Sequence, residues 1–343
     1  MKRVLIFLKN RLLYSLLVLL GLSILIFFIS RVVPGDPARV ALGPRTPEKI
    51  IQQLREEMHL NEPIYRQYYY WLKGVIRGNF GKSLITRRSV KEDIKQFLPA
   101  TIELTMFSVI FLATVGIVLG SVCALHNNSW IDNLGRIISY IGVVTPSFVF
   151  AILLMLIFGY ILEIFPTAGR ITSGMILPPK VTGLITIDAL ISGNFVVFWD
   201  AIKHLILPAV SLGMAGMAQE SRITRSTMCD NAKKDYIIAE RSYGIPERII
   251  MFRYLLKPSI IPSISILGLE FGAILGNAFL VELVFNWPGL SRYGMNAILS
   301  KDINATSIVV LLIGIFFITG NIIVDIVVNL VDPRISLQND YGE

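Results

Sequence analysis

Three kinds of side chain in this sequence could carry chemistry, and each is judged by its spacing. GNFGKS at 78–83 is similar to the end of a phosphate-binding loop. That loop needs a glycine five residues before Gly81, where Ile76 stands, so a nucleotide site is not expected there. His59, His126 and His204 are more than sixty residues apart, and Cys123 and Cys229 form no Cys-x-x-Cys pair, so no metal site is read. Cys123 and His126 share a helix face, read as a membrane-edge thiol and imidazole. No Ser/His/Asp set or carboxylate pair has catalytic spacing. What remains are carboxylates inside apolar runs: Glu270, Glu282 and Asp325. A carboxylate facing lipid costs at least about 2.5 kcal/mol, so these residues mark a protein or water interior. Glu270 lies deepest; Glu282 and Asp325 lie near span ends, where an interfacial position also suits them.

The elements that hold these residues are membrane helices. The chain has 343 residues, is 54% hydrophobic and only 16% charged, and has a mean hydropathy of +0.64, which points to an all-α polytopic membrane protein. A net charge of +8 could serve nucleic acid, but the basic residues flank apolar runs and no groove-reading motif occurs, so nucleic acid is not a partner. Lys2, Arg3, Lys9 and Arg11 precede an uncharged run of 19 residues, Leu12 to Ser30, read as an uncleaved first helix. Further runs lie at 104–125, 137–162, 205–218, 259–281 and 303–324. The 205–218 run is short of the ~20 residues a span needs.

Charge bias arbitrates. With six transmembrane helices and both termini cytoplasmic, the cytoplasmic pieces 1–11, 126–136, 219–259 and 332–343 carry 14 Lys/Arg, against 5 in the outside loops 163–204 and 286–302. The expected division is a cytosolic N-terminus and first helix (1–31), an extracytoplasmic subdomain (32–100), a five-helix core (101–331) and a cytosolic tail (332–343). The subdomain opens with turn signals, PGDP at 34–37 and GPRTP at 43–47. A charged helix from Glu48 to His59 and the aromatic stretch YRQYYYWLKGVI at 65–76 follow. It either braces the first helix or docks an external partner. Pro146 and Pro208 fall within the third and fourth spans, where a proline kinks a helix. Gly268, Gly272 and Gly276 repeat at i+4, as do Gly116 and Gly120; such faces serve close helix packing, or an interface between chains.

The polar stretch 219–259 is the most punctuated segment. Asp230 and Asn231 offer an N-cap; Tyr236, Ala239, Glu240 and Tyr243 share one helical face; Gly244 suits a C-terminus and Pro246 the first turn of the next helix. The second helix carries Ile249, Phe252 and Leu256 on one side, with Arg248 elsewhere. The pattern predicts helix, sharp turn, helix, with an apolar stripe for a separate protein.

This elbow resembles the coupling loop of permease subunits of bacterial ABC importers. VELVFNWPGLSRYGMNAI at 281–298 resembles the signature of their dipeptide, oligopeptide and nickel branch. VVPGDP (32–37), NFGKS (79–83), ATIELT (100–105), TPSF (145–148), FPTAGR (165–170) and LPAVSLG (207–213) are similar too, in order, over nearly the whole chain. Departures occur: Ile238, Ala239 and Glu240 stand where the family has Glu-Ala-Ala, Pro258 and Pro262 stand at shifted positions, and Ser291 replaces a glycine.

The resemblance implies the type I ABC importer permease fold in a bacterial inner membrane. It implies pairing with a second, similar permease, two cytosolic ATPase subunits below and an extracytoplasmic binding protein above, all amid membrane lipid. ATP and Mg would sit on the ATPases, this chain binding no cofactor and being no enzyme. Tyr236, Ala239, Glu240, Gly244, Ile245, Pro246 and Arg248 would form the ATPase contact. Gly268, Glu270, Gly272, Gly276, Glu282, Pro146 and Pro208 would serve packing or the pathway. Peptides are the expected cargo, with nickel, opine-metal chelates or glutathione as alternatives. A secondary transporter, which Glu270 alone fits, and a membrane-embedded enzyme are the readings from other classes.

Overall fold

In a computed structural model, residues 2–32, 37–43, 45–57 and 59–331 are described. Residues 34–36 and Pro44 of the two turn signals, and the tail 332–343, lie outside them. The regular structure of the described residues is helical, without a strand; one isolated antiparallel bridge joins Lys82 and Ser89. In chain order the helices are α1 (Lys2–Val32), α2 (Pro37–Leu42), α3 (Glu48–Glu57), α4 (Ile64–Ile76), α5 (Val90–Leu125), α6 (Trp130–Val144), α7 (Ser147–Leu154), α8 (Ile185–Ile191), α9 (Phe195–Ala232), α10 (Asp235–Ser242), α11 (Glu247–Ile249), α12 (Lys257–Val284), α13 (Leu290–Leu299) and α14 (Ile303–Val331). A π-helical segment, Met155–Ile161, extends α7, and another, Ile250–Leu256, joins α11 to α12.

Four stretches are long and apolar enough to cross a membrane: α5, α9, Glu247–Val284 and Ile303–Val328. The bent pair α6 and α7 would make a fifth, and Leu13–Ile29 within α1 is a shorter apolar helix. This is consistent with six spans. The 205–218 run is no short span, because α9 extends to 38 residues; Asn194 caps it by accepting from the Val197 amide at 3.1 Å, and it runs unbroken through Pro208. Pro146, expected inside a helix, is instead the N-cap of α7, and α6 and α7 bend by 110° across it. A proline ring disfavours helical geometry in the preceding residue, and Thr145 is extended.

The chain packs as two compact units: residues 1–99 with 289–318, and residues 100–288 with 319–343. In the first, Val90, Ile94, Leu290, Tyr293, Ala297, Ala305, Ile308 and Val309 form the core, flanked by Trp71 and Val75 of α4. Asp302 ties the 81–89 turn to the start of α14, accepting from Ser83 Oγ and the Leu84 amide, each at 2.6 Å. The FGKS segment therefore closes a turn on Asp302. In the second unit α9 is central. It packs on α6, α7, α8 and α12, and half of its most apolar stretch is buried. Gly116 and Gly120 of α5 make close approach possible, since a Cβ on Gly116 would meet Glu220 at 2.7 Å and the Met217 carbonyl at 2.9 Å.

Candidate functional site

The elbow is shorter than the polar stretch that announced it. Asp230 and Asn231 do not start a helix: both lie in the last turn of α9, and Asn231 donates to Ser259 Oγ at 2.9 Å. α10 begins after Lys234, which makes no side-chain cap. Its end is as expected. Gly244 adopts φ +73°, the Ile245 amide donates to the Glu240 carbonyl (3.2 Å) and the Gly244 amide to that of Arg241 (3.0 Å), the paired bonds of a Schellman turn. Arg241 and Glu247 bridge the turn at 2.7 Å, and Pro246 caps α11 rather than entering its first turn.

One side chain anchors this turn. Ile237 is fully buried with Met228, Ile250 and Leu255, and Ala232, Ile245, Tyr254 and Leu256 close around them. The face of α10 that carries Tyr236, Ala239 and Tyr243 points the other way. Tyr236, Ala239, Tyr243, Gly244, Pro246 and Arg248 are exposed, Glu240 and Ile245 partly buried. Tyr243 is 82% exposed, and Ile238, Ile249 and Phe252 add apolar surface. Partial burial pushes the Tyr236 phenol above its ordinary value, and its hydroxyl donates to the Tyr254 carbonyl at 3.4 Å. The result is a pinned turn with an uncovered apolar crest, suited to docking against another protein surface.

The buried carboxylates sort differently from their expected order. Glu282 is fully buried within the protein and accepts from Thr101 Oγ1 at 2.6 Å. Glu270 is partly buried and reaches α9, where a Cβ on Gly216 would meet its Oε2 at 2.9 Å. Glu220, within the polar stretch, is 1% exposed, and among the described residues its Oε2 has no hydrogen-bond partner. Asp325 is partly buried. Gly268 and Gly272 are buried; a Cβ on Gly268 would meet Asn321 at 3.1 Å. Gly276 is exposed, and among the described residues nothing lies within 4 Å of a Cβ there. Cys123 is buried against Gly135, whereas His126 is exposed, so the two share no common environment. Among the described residues no three His, Cys, Asp or Glu side chains gather as metal ligands.

A second constellation was invisible in linear order. Glu103 (α5), Arg170 and Trp287 come from three of the quoted strings. The Glu103 carboxylate accepts from Arg170, from the Thr186 amide (2.8 Å) and from Thr186 Oγ1 (2.7 Å). Arg170 also donates to the Gly183 carbonyl and sits 5.8 Å from the Trp287 ring centroid. Trp287, fully buried, donates to the Ala100 carbonyl at 2.9 Å, and the Gly169 amide donates to the Phe285 carbonyl. The motif residues at 100–105, 165–170 and 282–288 thus form one buried knot. Elsewhere Asp132, fully buried at the start of α6, is held by Arg225 of α9 and by Arg136.

The model of the family described as "Binding-protein-dependent transport system inner membrane component" matches residues 116–337, and the corresponding N-terminal membrane component matches 4–105. The chain is 36% identical to a probable D,D-dipeptide transport system permease protein of Escherichia coli, over 93% of this chain and 94% of that one. It is 37% identical to a dipeptide transport system permease protein of Alkalihalophilus pseudofirmus, over 95% and 98%. It is 32% identical to a glutathione transport system permease protein of Salmonella typhimurium, over 95% and 97%. With the matched segments covering most of its length and a helical bundle around α9, this multi-pass chain belongs to the family of binding-protein-dependent transport system inner membrane components.

Proposed function

We propose that the chain is one permease half of an ATP-driven importer, carrying di- or oligopeptides delivered by an extracytoplasmic binding protein. The observation that carries the reading is the pinned elbow: Ile237 holds it rigid while Tyr243, Ile249 and Phe252 stand uncovered. Two ATPase subunits, with ATP and Mg bound to them, would close beneath that crest, and this chain would hold no cofactor. The sidedness follows the Lys/Arg bias, which favours both termini and the elbow in the cytoplasm. A second, similar permease would complete the path, and α12 exposes Gly276, where among the described residues nothing lies within 4 Å of a Cβ.

The mechanism is a transfer of motion. Movement of the ATPases would push α10; the buried cluster at Ile237 would pass the push to α9 and, through Ile250–Leu256, to α12, as a two-state rearrangement. The break at Pro146 gives a hinge beside α9. Peptide cargo is supported by relatives named for dipeptide transport, and glutathione, a peptide itself, by those named for it. Nickel and opine-metal chelates require ligands carried by the cargo or its binding protein.

The test is purification of the chain with its co-expressed system, followed by uptake in proteoliposomes. The expected outcome is a co-purifying ATPase and peptide uptake only with hydrolysable ATP and the binding protein. Uptake driven by an ion gradient without ATP would establish a secondary transporter instead.

A further inference from the structure

Helix α4 presents two faces. Tyr68, Trp71 and Val75 face inward: Tyr68 shares a hydrogen bond of 2.8 Å with Ser23 of α1, and the Phe27 ring contacts both Tyr68 (5.3 Å) and Trp71 (5.6 Å). On the opposite face Tyr65, Tyr69 and Ile76 are 67%, 58% and 78% exposed, in register with Leu72 and Lys73.

The depth of this docking decides what can cover that face. Ser23 and Phe27 belong to the uncharged run of α1 that ends at Ser30, so Ser23 lies about 10 Å inside the end of the run at 1.5 Å per residue. A helix bonded to the spanning helix at that depth lies within the membrane boundary, not in bulk water. Its outer face also has the composition of an interfacial helix, with tyrosines and aliphatic side chains beside cations. Tyr69, Leu72, Lys73, Ile76 and Arg77 line a cleft of about 210 Å³. The Lys73 ammonium lies 5.6 Å from the Tyr69 ring centroid, and among the described residues neither Lys73 nor Arg77 forms an ion pair.

From this juxtaposition we infer that α4 is an interfacial helix whose outer face binds an anionic phospholipid, with an acyl chain against Tyr69, Leu72 and Ile76 and the headgroup phosphate between Lys73 and Arg77. The placement in the outer leaflet rests on the sidedness proposed above; the immersion of the face does not. The site would fasten the segment after α1 to the bilayer.

The experiment uses the assembled transporter in nanodiscs, with Ile76→Cys in a Cys123→Ala, Cys229→Ser background, carrying either a nitroxide or a bimane. The expected result is high accessibility to oxygen with low accessibility to a water-soluble nickel chelate. Brominated phosphatidylglycerol should quench the bimane more than brominated phosphatidylcholine at equal mole fraction, the enrichment being about fivefold per cation. Lys73→Gln with Arg77→Gln should bring the two lipids level. A nickel-accessible label would place the face in water, and a label shielded from both probes would place a protein on it; either overturns the inference. Equal quenching by the two lipids in the unmutated cleft, or a preference that survives the double substitution, overturns the anionic site. Accessibility to an impermeant thiol reagent from the opposite side of sealed vesicles, with quenching intact, would overturn the sidedness alone.

Discussion

Arg170 and Glu103 lie sixty-seven residues apart and form an ion pair whose side chains are 13% and 2% exposed. Removing one partner of so buried a pair leaves an uncompensated charge, at a cost of about 3–5 kcal/mol. Glu103→Ala is therefore expected to lower the thermal unfolding midpoint in detergent strongly. Glu103→Leu combined with Arg170→Met should recover much of the loss. A double variant as unstable as the sum of its singles would mean that the two residues act independently.

Gly244 carries φ +73°, and a Cβ placed on it would meet none of the described residues within 4 Å, so a substitution there meets backbone strain and not a clash. Gly244→Val should cost about 1–2 kcal/mol locally and still fold, while Gly244→Asn, which tolerates the left-handed region, costs less. Under the proposed function the valine variant inserts normally but loses uptake and the stimulation of ATP hydrolysis by cargo. Full uptake would remove this turn from the route by which energy enters.

Two glycines on neighbouring helices should behave oppositely. Gly116→Ala drives a methyl into Glu220 and the Met217 carbonyl, an overpacking expected to cost roughly 1–3 kcal/mol. Gly276→Ala finds open space and removes a helix-interior glycine, so the isolated chain gains up to about 1 kcal/mol. Gly276→Leu then probes the proposed partner permease: co-purification of the pair should fall. Undiminished pairing would put that face against lipid.

Asp188, at the first turn of α8, is 3% exposed. Burial pushes its carboxyl up, but the Thr182 amide and hydroxyl (each 2.7 Å) and the Gly183 amide (2.9 Å) outweigh it and hold the carboxyl below the ordinary value. A lowered value in the folded state stabilises above the unfolded value and is lost as pH falls through the folded one. Asp188→Asn should thus weaken amide exchange protection over 182–191 by about 1–3 kcal/mol at pH 7. The difference from the parent should shrink below about pH 4, where the unfolded carboxyl is protonated. A difference unchanged in acid would mean the charge contributes nothing.

Much of this protein is local in origin and so legible in the linear chain. Apolar runs specify helices wherever water is absent, since each must satisfy its own backbone. The turn at Gly244 follows from a residue free to adopt positive φ, set between a helix end and Pro246. The family likeness is likewise readable, because short strings keep their order.

What the sequence alone left undetermined depends on neighbours distant in the chain. The length of α9 came from its packing on four helices, which lets polar residues such as Glu220 and Asn231 continue a helix that their composition would interrupt. Pro146 became a break and not a kink because the chain turns there by 110°. Glu282 and Glu103 can be buried in the protein because Thr101, Thr186 and Arg170 supply their hydrogen bonds. Composition states which groups need partners; only the tertiary structure brings those partners within three ångströms.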